Sequence, residues 1–290
     1  MRYDSAQAFR TALEARLRSE SANTGVPLSR LRKTVAFDRL LARLTADDPA
    51  AWVLKGGFAL QVRYRLSSRA TRDLDVLLRD SGGEAGASLS RASRLDLGDW
   101  FGFEVGRRTF LPAESASRFP VTARLDGRTF ESFHVDVGVG DPMTSPADSI
   151  AVTSLLAFAD VPPTIVASYP VTQQLAEKLH ALTLPRSQPN SRVKDLVDIV
   201  LIAESERMAR DVLEAAVRAT FDARHVHEIP RDLPTPPAEW RAAYRRLASE
   251  ATLVSADIDG AIQTARDLFD PVLRGGAARL WDPGARTWRQ

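Results

Sequence analysis

Apolar residues recur at helical spacing along the N-terminal stretch and then condense into short strand-like runs, so the chain passes from helix to sheet. Residues 5–20 and 28–46 predict helices, the second with an apolar stripe of Leu28, Leu31, Val35, Phe37, Leu40, Leu41 and Leu44. Trp52, Val53 and Leu54 suit a buried strand, which Gly56-Gly57 breaks; Phe58, Leu60, Gln61, Val62, Tyr64 and Arg65 then return to helical spacing as far as Ser67-Ser68. Asp73 to Leu78 alternates and then runs apolar, as a partly buried strand does. Gly82 to Ser93 predicts a crossover of loop and helix. Phe119, Val121, Ala123, Leu125 and Phe133, Val135, Val137 alternate on either side of Asp126-Gly127, the signature of a hairpin. Beyond Tyr169-Pro170 the period is helical again, first with Val171, Leu175, Leu179 and Leu182. A polar loop over Ser187–Ser191 follows, where Asn190 or Ser191 would cap a helix burying Val193, Leu196, Val197, Val200 and Leu201. Further helices near 211–224, 238–251 and 257–274 are separated by turns at Pro230, Pro234 and Pro236-Pro237, with Trp240, Trp281 and Trp288 anchoring their packing. The expected class is α+β: an α/β domain with N-terminal helices over 1–160, then a mainly helical domain over 161–290.

The break after Leu54 carries the first chemistry. Glycine tolerates positive φ and close backbone approach, so Gly56-Gly57 between strand and helix aims free backbone N–H groups and the helix dipole at an anion. Phosphate is expected there. Asp73 and Asp75, two residues apart on a strand, share one face. Carboxylates that close repel each other and are costly to bury unpaired, so a divalent cation is their natural partner, and oxygen-only ligands suit Mg²⁺ held together with substrate phosphates. His134 and Asp136 face away from Phe133, Val135 and Val137, which puts Asp136 beside Asp73 and Asp75 if their strands adjoin. A surface aspartate on an edge hairpin is the plain alternative, and His134 is expected to be peripheral. Gln174 and Lys178 lie four residues apart on one helix face. Lys194, Asp195 and Asp198 crowd the polar side of the next helix, where an ordinary surface ion pair between Lys194 and Asp198 accounts for their spacing.

Together these segments resemble the AbiEii toxin family, including its MenT-type members, within the nucleotidyltransferases of the DNA polymerase β superfamily. Members carry a Lys-Gly-Gly-x-Ala-Leu turn and an Arg-x-Ser/Thr-x-Asp-Leu-Asp strand, which Lys55 to Leu60 and Arg69 to Asp75 match. The likeness continues in Ala176-Glu177-Lys178-Leu179-His180-Ala181 and Arg192-Val193-Lys194-Asp195-Leu196-Val197-Asp198, and is strongest over residues 30–205. Gly56-Gly57 stands where polymerase-like members outside the family carry Gly-Ser, which points away from a polymerase or an aminoglycoside-modifying enzyme. The resemblance implies a polymerase-β-like mixed sheet with flanking helices, and transfer of a nucleoside monophosphate from an NTP to an acceptor hydroxyl. It implies that Asp73, Asp75 and Asp136 hold metal, that Lys55, Gly56, Gly57, Arg69, Thr71, Arg192 and Lys194 surround the nucleotide, and that Lys178 reaches the triphosphate. It also implies that an acidic residue of the last motif is needed for activity, either Asp195 or Asp198. Mg²⁺ is the expected metal, with Mn²⁺ as the alternative; the tRNA 3′ end is the expected acceptor, so that translation is blocked, and a cognate antitoxin the expected partner in a toxin–antitoxin or phage-defence pair. The other readings are transfer to a protein or small molecule, or a non-catalytic RNA- or protein-binding module on this fold. Intact Asp73, Asp75 and Lys178 speak against the last.

Composition narrows the rest. Of 39 basic residues only Lys33, Lys55, Lys178 and Lys194 are lysine, leaving 35 arginines, and three of the four lysines fall inside the motifs. A compact ammonium differs physically from a planar guanidinium, so this placement adds weight to those positions. A formal charge of +2 with a pI near 9.1 permits a nucleic-acid partner without requiring one. With no cysteine, disulfides and thiolate metal sites are excluded. No apolar run approaches the roughly 20 residues of a membrane span, and Met1-Arg2-Tyr3-Asp4 has no apolar leader core. A cytoplasmic protein without membrane contact is expected.

Overall fold

The hydroxyl of Ser5 accepts a hydrogen bond from the Ala8 amide at 3.2 Å, and Gly25 ends the same helix at φ +72°, so α1 (Ala6–Thr24) is capped at both ends. The computed structural model describes all residues but 80–83, 112–115, 153–154, 186–191 and 278. Gly82-Gly83, within the expected crossover, and the expected Ser187–Ser191 loop with its Asn190 or Ser191 cap therefore lie outside the described residues. The chain forms two units, Met1–Val62 with Ala70–Gly140 and Asp148–Ser168, and Arg63–Arg69 with Asp141–Ala147 and Tyr169–Gln290.

In the first unit α1 is followed by α2 (Leu28–Asp47), β1 (Trp52–Lys55), α3 (Gly56–Tyr64, whose last two residues belong to the second unit), β2 (Leu74–Leu78), α4 (Ala85–Ser93), β3 (Phe101–Val105), β4 (Thr109–Leu111), β5 (Ala116–Leu125), β6 (Arg128–Val139), β7 (Asp148–Ala151) and β8 (Ile165–Ser168). The strands form one mixed sheet in the order β3-β5-β6-β2-β1-β8-β7, with β4 also paired to β5. β2 and β6 run parallel, as do β1 and β8, while β1 and β2 run antiparallel. Period-two alternation divides the sheet between two environments. Leu54, Leu74, Val76, Val135 and Val137 point into a core shared with Phe9, Leu13 and Leu17 of α1, the apolar stripe of α2, and Leu89 and Ala92 of α4. Phe37 joins the layers, its ring 4.9 Å from those of Phe58 and Phe133. The alternate positions, Lys55, Asp75, His134 and Asp136 among them, face the other way.

The hairpin at Asp126-Gly127 forms as expected. Their φ values of +56° and +65° are those of a two-residue type I′ turn, whose twist matches that of the flanking strands. The stripe of α2 is wider than its apolar residues alone predict, because Arg39 and Arg43 are buried as well. Asp99 accounts for this, accepting from Arg43 at 3.0 and 2.7 Å and from Arg39 at 3.4 Å, while the Phe101 carbonyl accepts a further bond from Arg43. Burial pushes the neighbouring Asp38 carboxyl above its ordinary range despite the adjoining Arg39.

In the second unit come α5 (Val171–Thr183), α6 (Val193–Ser205), β9 (Met208–Ala209), α7 (Arg210–Arg224), α8 (Trp240–Glu250), α9 (Ile258–Arg274), β10 (Leu280–Asp282) and β11 (Thr287–Arg289). The last two strands and β9 make a small antiparallel sheet that the sequence pattern does not announce. Trp281, fully buried, ties it to α6 by donating Nε1–H to the Ala203 carbonyl at 2.7 Å, and Trp288 donates to the Leu268 carbonyl of α9 at 2.9 Å. Arg241 and Arg246 pair with Asp259 and Glu250 on the surface. No helix among the described residues is long and apolar enough to cross a membrane.

Candidate active site

Strand register assembles the first group. Lys55 lies opposite Asp75, Asp75 opposite Asp136, and Asp136 opposite Arg118, so one row of charged residues crosses β1, β2, β6 and β5 on a single face of the sheet. Asp73, just before β2, lies one step along the same face, its Oδ1 at 3.4 Å from His134 Nδ1 and its Oδ2 at 3.5 Å from Arg118. Arg118 clasps Asp136 in a bidentate pair, Nε to Oδ1 at 2.8 Å and Nη2 to Oδ2 at 2.6 Å. Asp136 is thus a residue of a central strand and nearly buried, not a surface aspartate on an edge.

The glycine turn is built around this row. Gly56 adopts φ +67° at the start of α3, and a Cβ there would fall 2.6 Å from Cγ of Asp75. Glycine is needed twice over, for the left-handed backbone and for the space that the Asp75 carboxylate fills. The close approach therefore belongs to Asp75 and the α3 N-terminus, where the sequence suggested phosphate alone. Gly57 is buried in the first turn of α3, and the Thr71 hydroxyl donates to the Asp73 carbonyl at 3.3 Å.

The second group lies within the second unit. Lys178 Nζ is 3.0 Å from Asp195 Oδ1 and 2.9 Å from Asp198 Oδ2, and Arg69 grips Asp198 through Nε at 2.8 Å and Nη2 at 2.7 Å. Arg192 approaches Asp195 at 3.5 Å. Asp198 is 1% exposed, so the expected surface pair with Lys194 is corrected: its carboxylate is an internal one with two other cations on it. Burial alone would drive the Lys178 ammonium toward neutrality, but Asp198 and Asp195 outweigh it and raise its pKa above the usual lysine value. Burial likewise works against the Asp198 carboxylate, and Arg69 and Lys178 overcome it and hold the pKa below the usual range. Both charges persist at neutral pH. Arg69, expected beside the nucleotide, is 8% exposed and donates through Nε and Nη2 to Asp198.

The model of the nucleotidyl transferase AbiEii toxin family, a type IV toxin–antitoxin system, matches residues 39–270. The chain belongs to this family. It is accordingly a nucleotidyltransferase toxin, using an NTP and answering to an antitoxin. The fold of this AbiEii protein is similar to that of MenT4, a nucleotidyltransferase toxin from Mycobacterium tuberculosis H37Rv, with a TM-score of 0.54 at 16% identity over 90% of this chain and 98% of that one. JHP933 from Helicobacter pylori matches at a TM-score of 0.41 and 15% identity over 86% of this chain and 87% of the other. No curated protein sequence matches the chain.

In this AbiEii chain the register brings Lys55, Asp75 and Asp136 together with Asp73 nearby, and ion pairing brings Lys178, Asp195 and Asp198 together with Arg69 and Arg192. Lys194 is exposed on α6. Among the described residues no three His, Cys, Asp or Glu side chains are grouped so as to hold a metal ion, although Asp75 and Asp136 lie opposite each other on one face of the sheet. Asp136 is paired with Arg118. Asp73 and Asp75 still suit Mg²⁺, which binds through one or two carboxylates and takes its other ligands from phosphates and water. Arg118 is the residue that the sequence reading missed. Its position opposite Asp136 in the hairpin could have been counted back from Asp126-Gly127, allowing for the one-residue bulge at Ala123/Arg124.

Proposed function

We propose that this toxin transfers a nucleoside monophosphate to the 3′-terminal hydroxyl of tRNA, in a Mg²⁺-dependent reaction that releases pyrophosphate and halts translation. The observation that carries the reading is the row Lys55–Asp75–Asp136–Arg118, with Asp73 beside it and the N-terminus of α3 against Asp75. A cation bound there, Mg²⁺ or Mn²⁺, would offset charge on the triphosphate and orient its α-phosphorus for in-line attack. Asp73 and Asp75 supply its protein ligands. Lys55 and the backbone N–H groups of the first turn of α3 are assigned to phosphate oxygens, beside the Asp75 carboxylate that Gly56 admits. Lys178, held charged by Asp195 and Asp198, is assigned to the charge that builds on the leaving pyrophosphate. Arg192, Lys194 and Thr71 are kept as nucleotide contacts. Asp198, bound twice by Arg69, is assigned to positioning Lys178, and Asp195 is the acid assigned to the reaction.

The test is incubation with each α-labelled NTP in turn, Mg²⁺ and total tRNA, followed by separation of RNA, protein and small molecules. Label in the tRNA band with one NTP preferred is the expected result. Label confined to protein or to a small molecule would replace the acceptor and leave nucleotidyl transfer in place.

A further inference from the structure

We infer that the acceptor RNA crosses the sheet at the β4–β5 edge, with its backbone phosphates on Arg107 and Arg108. The inference rests on the tRNA reading above and adds to it the surface that holds the RNA. Along β5, Val121 pairs with Val105 and Arg118 with Thr109, so three edge residues, Gly106, Arg107 and Arg108, stand against only two, Phe119 and Pro120. The edge bulges there by one residue. Pro120 is the reason: its carbonyl accepts from the Gly106 amide at 2.8 Å, but it has no N–H to return, so the exchange of paired bonds stops. Gly106 permits the contact, since a Cβ there would fall 2.7 Å from Cγ of Pro120. Bulges at sheet edges re-aim side chains, often beside active sites.

This bulge presents charge at the end of the charged row. Thr109 stands opposite Arg118, so the row runs Lys55–Asp75–Asp136–Arg118–Thr109, and Arg108 is the next residue along the edge. Arg107 and Arg108 are exposed, and neither side chain pairs with another described residue. Exposed arginines elsewhere, Arg91, Arg241 and Arg246 among them, meet Asp47, Asp259 and Glu250. Glu104, the one acid between Phe101 and Leu111, is committed to Arg124. Position identifies the anion. Four strand spacings of about 4.8 Å put the bulge about 19 Å from the Lys55 strand, farther than the three phosphates of one NTP reach from the α3 turn. With the NTP at the β1 end and the 3′ hydroxyl at Asp73 and Asp75, the nucleotides preceding that hydroxyl leave over β5. Two neighbouring guanidiniums offer planar forks to their phosphate oxygens.

The test measures binding of total tRNA to the full chain across a salt series, in wild type and in the double variant Arg107→Gln with Arg108→Gln. A charge-matched control, Arg18→Gln with Arg94→Gln, changes α1 and the end of α4 instead. The bulge variant should bind tRNA about tenfold more weakly at about 0.1 M salt, and its slope of log affinity against log salt should be shallower by about 1.4–1.8. The control, and a variant with lysine at both bulge positions, should keep the wild-type slope, and NTP affinity of the glutamine variant should not change. An unchanged slope in the folded bulge variant, or an equal change in the control, would overturn the surface and leave tRNA as the acceptor. A parallel loss of NTP affinity would place these arginines at the nucleotide and overturn the inference. Wild type that binds no tRNA would overturn the tRNA reading itself, and this surface with it.

Discussion

The two groups of aspartates are held in different ways, and the same kind of substitution should affect them oppositely. Asp73 has a side chain 35% exposed and partners at 3.4 and 3.5 Å, so Asp73→Asn is expected to abolish transfer and leave stability within about 0.5 kcal/mol. Asp198 is buried beneath Arg69 and Lys178, and Asp198→Ala takes from Arg69 its bidentate carboxylate and leaves Lys178 only one of its two aspartates. A loss of about 3 kcal/mol is expected, read in thermal or urea melts beside the transfer assay. Equal losses of stability in both variants would contradict this division. Gly56→Ala should cost about 1–2 kcal/mol from the left-handed backbone alone, and should also weaken NTP binding by pushing the Asp75 carboxylate aside. Unchanged calorimetric affinity would reduce that glycine to an ordinary turn residue. The Asp-x-Asp pair was legible from local spacing because period two alone puts both on one face. Arg118 was not, being one of 35 arginines distinguished only by its strand partner. Asp198 misled for a similar reason: Lys194 stands at helical ion-pair spacing, while the true partner Arg69 is 129 residues away in sequence.

Long elements with a sustained period were readable, and among short ones only those with a compact apolar run beside a chemical motif, β1 and β2, were. α1, α2, α5, α6 and the β5–β6 hairpin fall close to where spacing puts them, since each buries a stripe or face many residues long. β7, β8 and β9 have two to four residues each, too few for alternation to register, and β10 and β11 are held by Trp281 and Trp288 more than by any pattern. α5 also buries more than its apolar stripe, including Gln174 and His180. The His180 ring lies 4.6 Å from that of His227 and 4.9 Å from Phe221. Burial above all, then His227 and Arg224, push the His180 pKa down to about 4 from an ordinary 6.5. Because the folded value is the lower one, the unfolded chain takes up the proton first. The stability contributed by neutral His180 is complete above about pH 6.5 and is lost as the pH falls toward 4. Between pH 7 and 4.5 the expected loss is about 2–3 kcal/mol. Denaturant melts of the wild type and His180→Leu across that range test it: the variant should show a shallower decline, and parallel declines would place the effect elsewhere.

Over the molecule as a whole, 35 arginines in a chain of formal charge +2 can concentrate positive charge locally without a large net field. If tRNA is the acceptor, its phosphates must meet such a surface, and log affinity should fall with log salt by about 0.7–0.9 for each phosphate neutralised. NTP binding at a metal-centred site should respond much less, and a tRNA affinity flat between low and physiological salt would remove the tRNA acceptor. The central claim is that the Asp73–Asp75 face of the sheet carries out nucleotidyl transfer. Its most direct test compares α-labelled and γ-labelled NTP in wild type and in Asp75→Asn, with melting curves confirming that both are folded. Label should reach the acceptor from the α position only, the γ label should leave as pyrophosphate, and the folded variant should transfer neither. Acceptor labelled from the γ position, or full transfer by Asp75→Asn, would contradict the account.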